Sequence, residues 1–434
     1  MKHVEYIIAF LLGDGNAAFL SEVSYGPNAT AKVVIDPSSF FDDGIYMTEK
    51  SMPELPLKQF DGVEILYGEP LVKQEDGQLH ICADLVASTF FLLTRYEECV
   101  RRDVRDVHGR FPGRESLPFR AGFLHRPIVD EYGVLLRRYL RQVGVDIPEP
   151  APGFSHIWLT HDVDSIWSWP NYYRALRSVV KRITANQPDK LLPLKSVFSY
   201  KRFDPSYTFP WLMEKDHMVC RAYGSEICTS LYFFMGCAEK RRLDDGYIRK
   251  KKRTADLMAS LQSKNCSAGY HLSYYASTHP DETIPEMQRV AELWGGKITY
   301  SRNHFLASRE PESFRVLLEA GITDDFTMAY ADVAGFRLGT CRAVNWIDPA
   351  TRELTPLRLH PITIMDRTLD GKLYMGIQKE DEAYDYVCDL LSQIHKHGGD
   401  VVFLWHNPTV SEKSPSYHRS LYQRLLQHLI DYKR

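Results

Sequence analysis

The chain has 434 residues, 44% of them hydrophobic and 25% charged, with a formal net charge of −3. That length exceeds one ordinary core and predicts two domains, or one barrel with an appendage. The charge balance excludes a global pull toward nucleic acid. Eight scattered cysteines without a C-x-x-C pair exclude a zinc ribbon or disulfide framework and fit a reducing cytoplasm.

The first apolar run, Tyr6-Ile7-Ile8-Ala9-Phe10-Leu11-Leu12, has the length of a signal-peptide core, but Glu5 precedes it and Asp14 follows. A first β-strand ending at Gly13-Asp14-Gly15 is expected instead, and with it a cytoplasmic location. No apolar run is long enough to span a bilayer. Strand-like runs lie near 31–35 and 63–67, and helical patterns cover 83–99 and 129–143, with apolar residues three and four apart. Between those helices, 101–114 interleaves arginine with aspartate and reads as a solvated loop. Pro148, Pro150 and Pro152 then forbid helix and mark a connector. Residues 1–150 are therefore expected to form a smaller mixed α+β domain, and 154–434 a second one.

Beyond the connector, strand candidates fall at 156–160, 228–235, 267–270, 297–300, 336–340, 357–360 and 401–405. Helical stretches lie between several of them, at 254–264, 284–294, 312–320 and 380–397. Repeated βα units of this kind predict a parallel sheet or (β/α) barrel covered by helices. The basic stretch 169–209 is long for a βα connection and is expected to make a helical excursion over one rim.

Chemically capable residues recur where these strands end. Asp162 and Asp164 follow the strand at 156–160, His271 the one at 267–270, and Arg302 and His304 the one at 297–300. Asp324 and Asp325 follow Ala320-Gly321-Ile322, and His406 follows Val401-Val402-Phe403-Leu404-Trp405. Strand C-termini of a barrel converge on one face, where active sites form. Asp and neutral His suit a divalent ion such as zinc. The ion acidifies water and polarises a carbonyl; a second carboxylate takes the water proton and a histidine protonates a leaving amine. Two acids as close as Asp162 and Asp164 also need a cation or a proton between them.

At these residues the sequence resembles the polysaccharide deacetylase family (NodB homology, carbohydrate esterase family 4), from about residue 154 onward. Thr160-His161-Asp162-Val163-Asp164 resembles the family motif T-F-D-x-D, which implies Asp162 as catalytic base and Asp164 as metal ligand. His271 opens the region matching H-[ST]-x-x-H. Arg302-Asn303-His304-Phe305 corresponds to R-x-P-[YF], whose arginine orients the base. Leu404-Trp405-His406 matches the last motif, whose histidine is the general acid. The resemblance thus implies a distorted (β/α) barrel of the NodB type, a divalent metal, with zinc expected, and a carbohydrate substrate. The chain looks closer still to a bacterial branch in which such a barrel carries an N-terminal domain of unknown function. Phe90-Phe91-Leu92-Leu93-Thr94-Arg95-Tyr96-Glu97-Glu98, His108-Gly109-Arg110-Phe111-Pro112 and Gly335-Phe336-Arg337-Leu338-Gly339-Thr340 carry that likeness.

Two departures coincide. Tyr275 stands where the second metal-binding histidine of the family would be, and His304 replaces the motif proline. One expectation joins them: His304 completes the metal site that Tyr275 cannot complete. Trp167, Tyr275, Asp325 and Trp405 are candidate substrate contacts, with Trp169, Tyr274 and Trp346 as further aromatic platforms. Asp325 or Asp332 is expected to orient His406, and His360 is a minor candidate for the site. Alternation along the strand points His161 away from the acids. The expected function is metal-dependent removal of N-acetyl groups from an amino-sugar polymer or glycan precursor. A hydrolase of another non-peptide C–N bond and a glycan-binding pseudoenzyme are the alternatives.

Overall fold

In the computed structural model, which describes residues 2–433, the opening apolar run is a helix, Lys2–Leu12, and not the expected strand. A continuous apolar stretch does not reveal its period. The tertiary structure decides by burying Val4, Ile7, Ile8 and Leu11, one helical face, in the core. Its last carbonyls are taken by side chains: the distant Arg137 donates from Nη1 to Leu11 O at 2.7 Å and the nearby Asn16 from Nδ2 to Leu12 O at 2.8 Å.

Two strands, β1 (Val23–Tyr25) and β2 (Val33–Ile35), pair in parallel; a short hairpin, β3 (Lys58–Phe60) and β4 (Val63–Ile65), follows. β5 (Gly68–Glu75) and β6 (Gln78–Ala83) complete a four-stranded sheet of order β1-β2-β6-β5. The helix expected over 83–99 is two helices, Leu85–Leu93 and Tyr96–Val100, because Arg95 takes φ +52° between them.

The remaining strands form one sheet. β7 (His156–Val163), β8 (Cys228–Met235), β9 (Ser267–Leu272), β10 (Tyr300–Asn303) and β11 (Asp324–Met328) are joined by β12 (Val344–Asp348) and β13 (Glu353–Pro361). β14 (Ile364–Met365) and β15 (Asp400–His406) complete it. The order is β12-β13-β11-β10-β9-β8-β7-β15-β14, parallel throughout except for β12 against β13. The sheet curls into a barrel-like wall. Between β13 and β14, Ile362 N donates to Met328 O at 2.9 Å and Thr363 N to Val402 O at 2.9 Å, so the chain itself bridges the gap. Trp158, Phe233, Phe326, Ile362 and Leu404 fill the interior. Gly269 makes room for this filling: a Cβ there would lie 2.5 Å from the Phe233 ring.

Three expectations about the sheet are corrected. Residues 336–340 are loop, because Gly335 and Gly339 take positive φ and the segment is pinned by Val129 N donating to Gly339 O at 2.8 Å. β10 begins at Tyr300 rather than ending there, so Arg302 lies within the strand. Asp324 and Asp325 start β11 rather than following a strand, and neither faces the site: Asp324 pairs with His360 and Asp325 with Ser301 and Thr327. The excursion over 169–209 is helical as expected, with helices Tyr172–Thr184, Leu192–Phe198 and Tyr200–Phe203.

One continuous apolar core joins both parts of the chain. Two of the blocks behind the family resemblance meet in it. Arg337 grips Glu98 bidentately, at 3.0 and 2.7 Å, and Arg95 pairs with Glu310 at 2.6 Å, all four side chains buried. Removing one member of such a pair leaves the other charged and dry. Arg337→Ala is therefore expected to destabilise the fold by about 3–5 kcal/mol, read as a shift in the urea midpoint at unchanged slope. A shift under about 1 kcal/mol would show the pair to be energetically idle.

Candidate metal centre

Strand register assembles the site. β15 lies parallel to β7 with His406 beside Asp162, and β10 lies parallel to β9 with Arg302 beside His271. Alternation sends Thr160 and Asp162 inward and His161 outward, where its Nε2 meets Asp216 Oδ2 at 2.9 Å.

Asp162 is held by Arg302. The guanidinium donates from Nη1 to Asp162 Oδ1 at 2.8 Å, from Nη2 to Thr160 Oγ1 at 2.8 Å and from Nε to Phe326 O at 2.8 Å, with its carbon 4.3 Å from the Phe233 ring centre. Each of its three nitrogens thus donates one hydrogen bond, and its plane is fixed. Burial opposes ionisation of Asp162, yet Arg302, with His271 and His406, holds its carboxyl below the ordinary range.

Asp164, His271 and His304 each offer one ligand atom, and the three atoms lie within 4.8 Å of one another. Asp164 Oδ1 is 3.3 Å from His271 Nε2 and 3.6 Å from His304 Nε2. Tetrahedral zinc with bonds near 2.0–2.1 Å sets its ligand atoms about 3.3–3.4 Å apart, so the spacing suits such an ion. Asp164 Oδ1 and His271 Nε2 are also shielded from solvent without a hydrogen-bond partner. Buried polar atoms are rarely left unpaired, and two that converge on one point fit a cation there. Both histidines present Nε2 because the other nitrogen is engaged: His271 Nδ1 lies 3.0 Å from Arg302 O, and His304 Nδ1 3.1 Å from Asp244 Oδ1. Asp244 is buried and accepts from the Tyr274 and Tyr275 backbone amides at 2.8 and 3.1 Å. Burial resists its charge, but these bonds and His304 keep it ionised below the usual carboxylate range. Burial likewise opposes the charge on Asp164, and His304, His271 and His406 together draw it well below that range.

His406 stands opposite, its Nε2 3.7 Å from Asp164 Oδ2 and 3.9 Å from Asp162 Oδ2. Asp366 anchors it: Oδ1 meets His406 Nδ1 at 2.7 Å, and Oδ2 accepts from the His406 amide at 3.0 Å and from Thr409 Oγ1 at 2.6 Å. Burial works against the imidazolium, but Asp366, then Asp164 and Asp162, outweigh it and raise His406 to about 9.

These groups open onto a cleft of about 410 Å³, walled by Phe305, Leu306, Met365 and Tyr374 and edged by Arg110 and Arg367. Arg110 comes from the N-terminal part of the chain. It pairs with Asp106 at 2.7 Å and donates to Phe305 O at 3.0 Å, while His108 packs on the Phe305 ring at 4.8 Å.

Several expected contacts lie elsewhere. Trp167 and Trp405 are buried plugs. Trp167 packs under Lys250 and Arg253, and Trp405 packs on Tyr422 with its indole N–H donating to His418 O at 3.3 Å. Asp325 is fully buried and spends its carboxylate on Ser301 Oγ at 2.7 Å and Thr327 Oγ1 at 2.9 Å. Tyr275 stacks on His279 at 3.8 Å and does not line the cleft. Trp346 packs on Phe314 at 5.3 Å, Trp169 lies beneath Arg182, and Tyr274 touches the cleft wall only through Phe305. His360 pairs with Asp324 at 2.8 Å, far from the site. Asp332 accepts from the Gly113 amide at 2.7 Å, and Asp366, not Asp325 or Asp332, orients His406.

Asp366, Asp244 and Arg110 are the candidate-site residues that the sequence pattern missed. Asp366 had a signal, an acid directly after the apolar Ile364-Met365. Asp244 lies in a turn-rich segment between elements and had none.

A model of a family of unknown function, DUF7033, matches residues 6–144. No curated protein matches the chain. Among solved structures, a protein from Mycobacterium smegmatis described as a "putative polysaccharide deacetylase" is similar over 65% of this chain and 88% of its own, at 12% identity and a TM-score of 0.37. A 4-alpha-glucanotransferase from Thermococcus litoralis is similar over 65% of this chain at 13% identity and a TM-score of 0.35; the chain spans 38% of that enzyme.

Proposed function

We propose that this chain is a metal-dependent amide hydrolase on a NodB-type distorted barrel, removing N-acetyl groups from an amino-sugar polymer or glycan precursor. In that scheme residues 1–150 form an N-terminal domain that lends Arg110 to the cleft of the barrel at 154–434. The observation that carries the proposal is the convergence of three unlike groups: the Asp164–His271–His304 cluster, Asp162 on Arg302, and His406 on Asp366. When bound, a divalent cation such as zinc supplies Lewis acidity, lowering the pKa of water and polarising a carbonyl.

The side chains do the rest. Asp162, held ionised by Arg302, accepts the proton of the attacking water. A carboxylate this acidic accepts a proton only from water that is itself acidified, which is why base and cluster share one site. Protonated His406, on the other flank of Asp164, delivers its Nε2 proton to the departing amine. Phe305, Leu306 and Met365 limit water around the acyl group.

Acetate release from chitooligosaccharides and peptidoglycan fragments, measured on zinc-loaded protein, tests this. Asp162→Asn is expected to lower kcat by about 10²–10⁴-fold while zinc stays bound, the range for loss of a general base. An unchanged rate in that variant removes Asp162 from the chemistry. Release of an acid other than acetate identifies a different non-peptide C–N bond cleaved by the same groups.

A further inference from the structure

The helix Tyr172–Thr184 buries only Ala175 and Val179 against the rest of the molecule. Its apolar sector continues past that strip. Tyr173, Leu176, Val180 and Ile183, three or four residues apart and so on one face, are all exposed, Tyr173 to 75%. Tyr172 at the start of the helix, then Leu191 and Phe198 beyond it, extend the patch. Seven of the sixteen large exposed hydrophobic side chains among the described residues thus lie within 172–198. Such patches are uncommon on monomers and mark a surface that something covers.

Charge says what covers it. Residues 172–202 contain eight Lys or Arg and one acid, Asp189, in a chain whose net charge is −3. Asp189 is paired with Lys413, leaving the segment's cations uncompensated from within. Arg174, Arg177 and Lys181 lie on the helix next to the apolar stripe. A second copy docking by the same patch would set these cations against themselves. Nucleic acid would meet the cations but leave Leu176, Val180 and Ile183 unpartnered. An anionic bilayer satisfies both, taking the aliphatic and aromatic side chains below the headgroups and the basic ones among them.

We propose that residues 172–198 form an interfacial docking element for an anionic lipid bilayer. Among the described residues no helix is long and apolar enough to cross a membrane, so the element lies in the surface. It leaves β7 just beyond Asp164, and Lys413, beyond His406, reaches back to Asp189. The element is thus tied to the segments that follow β7 and β15. The proposal does not depend on the reaction carried out there.

Sedimentation of the full chain with vesicles tests it. Binding to phosphatidylcholine mixed with phosphatidylglycerol is expected to exceed binding to phosphatidylcholine alone by at least about tenfold and to weaken with salt. Each basic side chain near such a surface is worth roughly fivefold in partitioning, so Arg174→Glu, Arg177→Glu and Lys181→Glu together should lower it by about 100-fold or more. Leu176→Asp with Val180→Asp and Ile183→Asp should abolish it with Tm unchanged, since all three side chains are exposed. Equal binding to the two vesicle types, or binding retained in both variants, overturns the proposal. So does a dimer, seen by light scattering, that the aspartate variant dissociates, because the patch is then a self-association surface.

Discussion

His304→Ala is expected to weaken zinc binding by more than about 100-fold and to abolish hydrolysis while leaving the fold intact. Loss of a partner that only orients a ligand costs about 10–100-fold, and in the proposed site His304 offers a ligand atom itself. Without it Asp164 and His271 remain, two protein ligands where catalytic zinc sites use three. Asp244→Asn is the graded control. It keeps a side chain of the same shape beside His304 Nδ1, 3.1 Å away, but removes the charge, so a loss of about tenfold is expected. Elemental analysis after dialysis and calorimetric titration read both variants. One equivalent of zinc retained by His304→Ala would place the ion elsewhere.

The second large effect concerns the acid. In the proposed scheme His406 acts protonated, so kcat should fall as pH rises through its pKa, raised to about 9 chiefly by Asp366 against the opposing effect of burial. A cation near Asp164 adds positive charge and sets this limb at or below that value. Asp366→Asn retains hydrogen-bonding capacity but withdraws the negative charge beside Nδ1. The imidazolium is then less stable, and the alkaline limb should move down by about 1–2 pH units, the usual reach of a charge at this distance. Activity near neutrality drops with it. A pH–kcat profile whose alkaline limb does not move in that variant excludes Asp366 as the group that tunes His406.

Much of the site was legible because parallel strands of one wall end on the same side. Asp162, Asp164, His271, Arg302 and His406 could be found by looking for polar residues after apolar runs, without knowing which strands pair. The departure at Tyr275 was legible too, and with it the prospect that His304 substitutes, because the two irregularities each follow one of two successive strand-like runs. Asp325 failed the same test because the apolar run before it, Ala320-Gly321-Ile322, is a turn, so the acid opens β11 instead of closing it. Trp167 and Trp405 failed for another reason: closeness in sequence to a catalytic residue says nothing about which side of the wall a ring faces.

By itself, the sequence determined the alternation of strands and helices after residue 154, the parallel wall and the identity of the groups at its chemical end. Those depend on local period and composition, which any window of the chain displays. Only the tertiary structure decided that Lys2–Leu12 is a helix and that Asp366 and Asp244 stand behind His406 and His304. It alone brought Arg110, nearly 200 residues earlier in the chain, to the Phe305 carbonyl. Each of these is a contact between segments far apart in sequence, set by burial against whatever partner folding brings, and no local pattern encodes that partner.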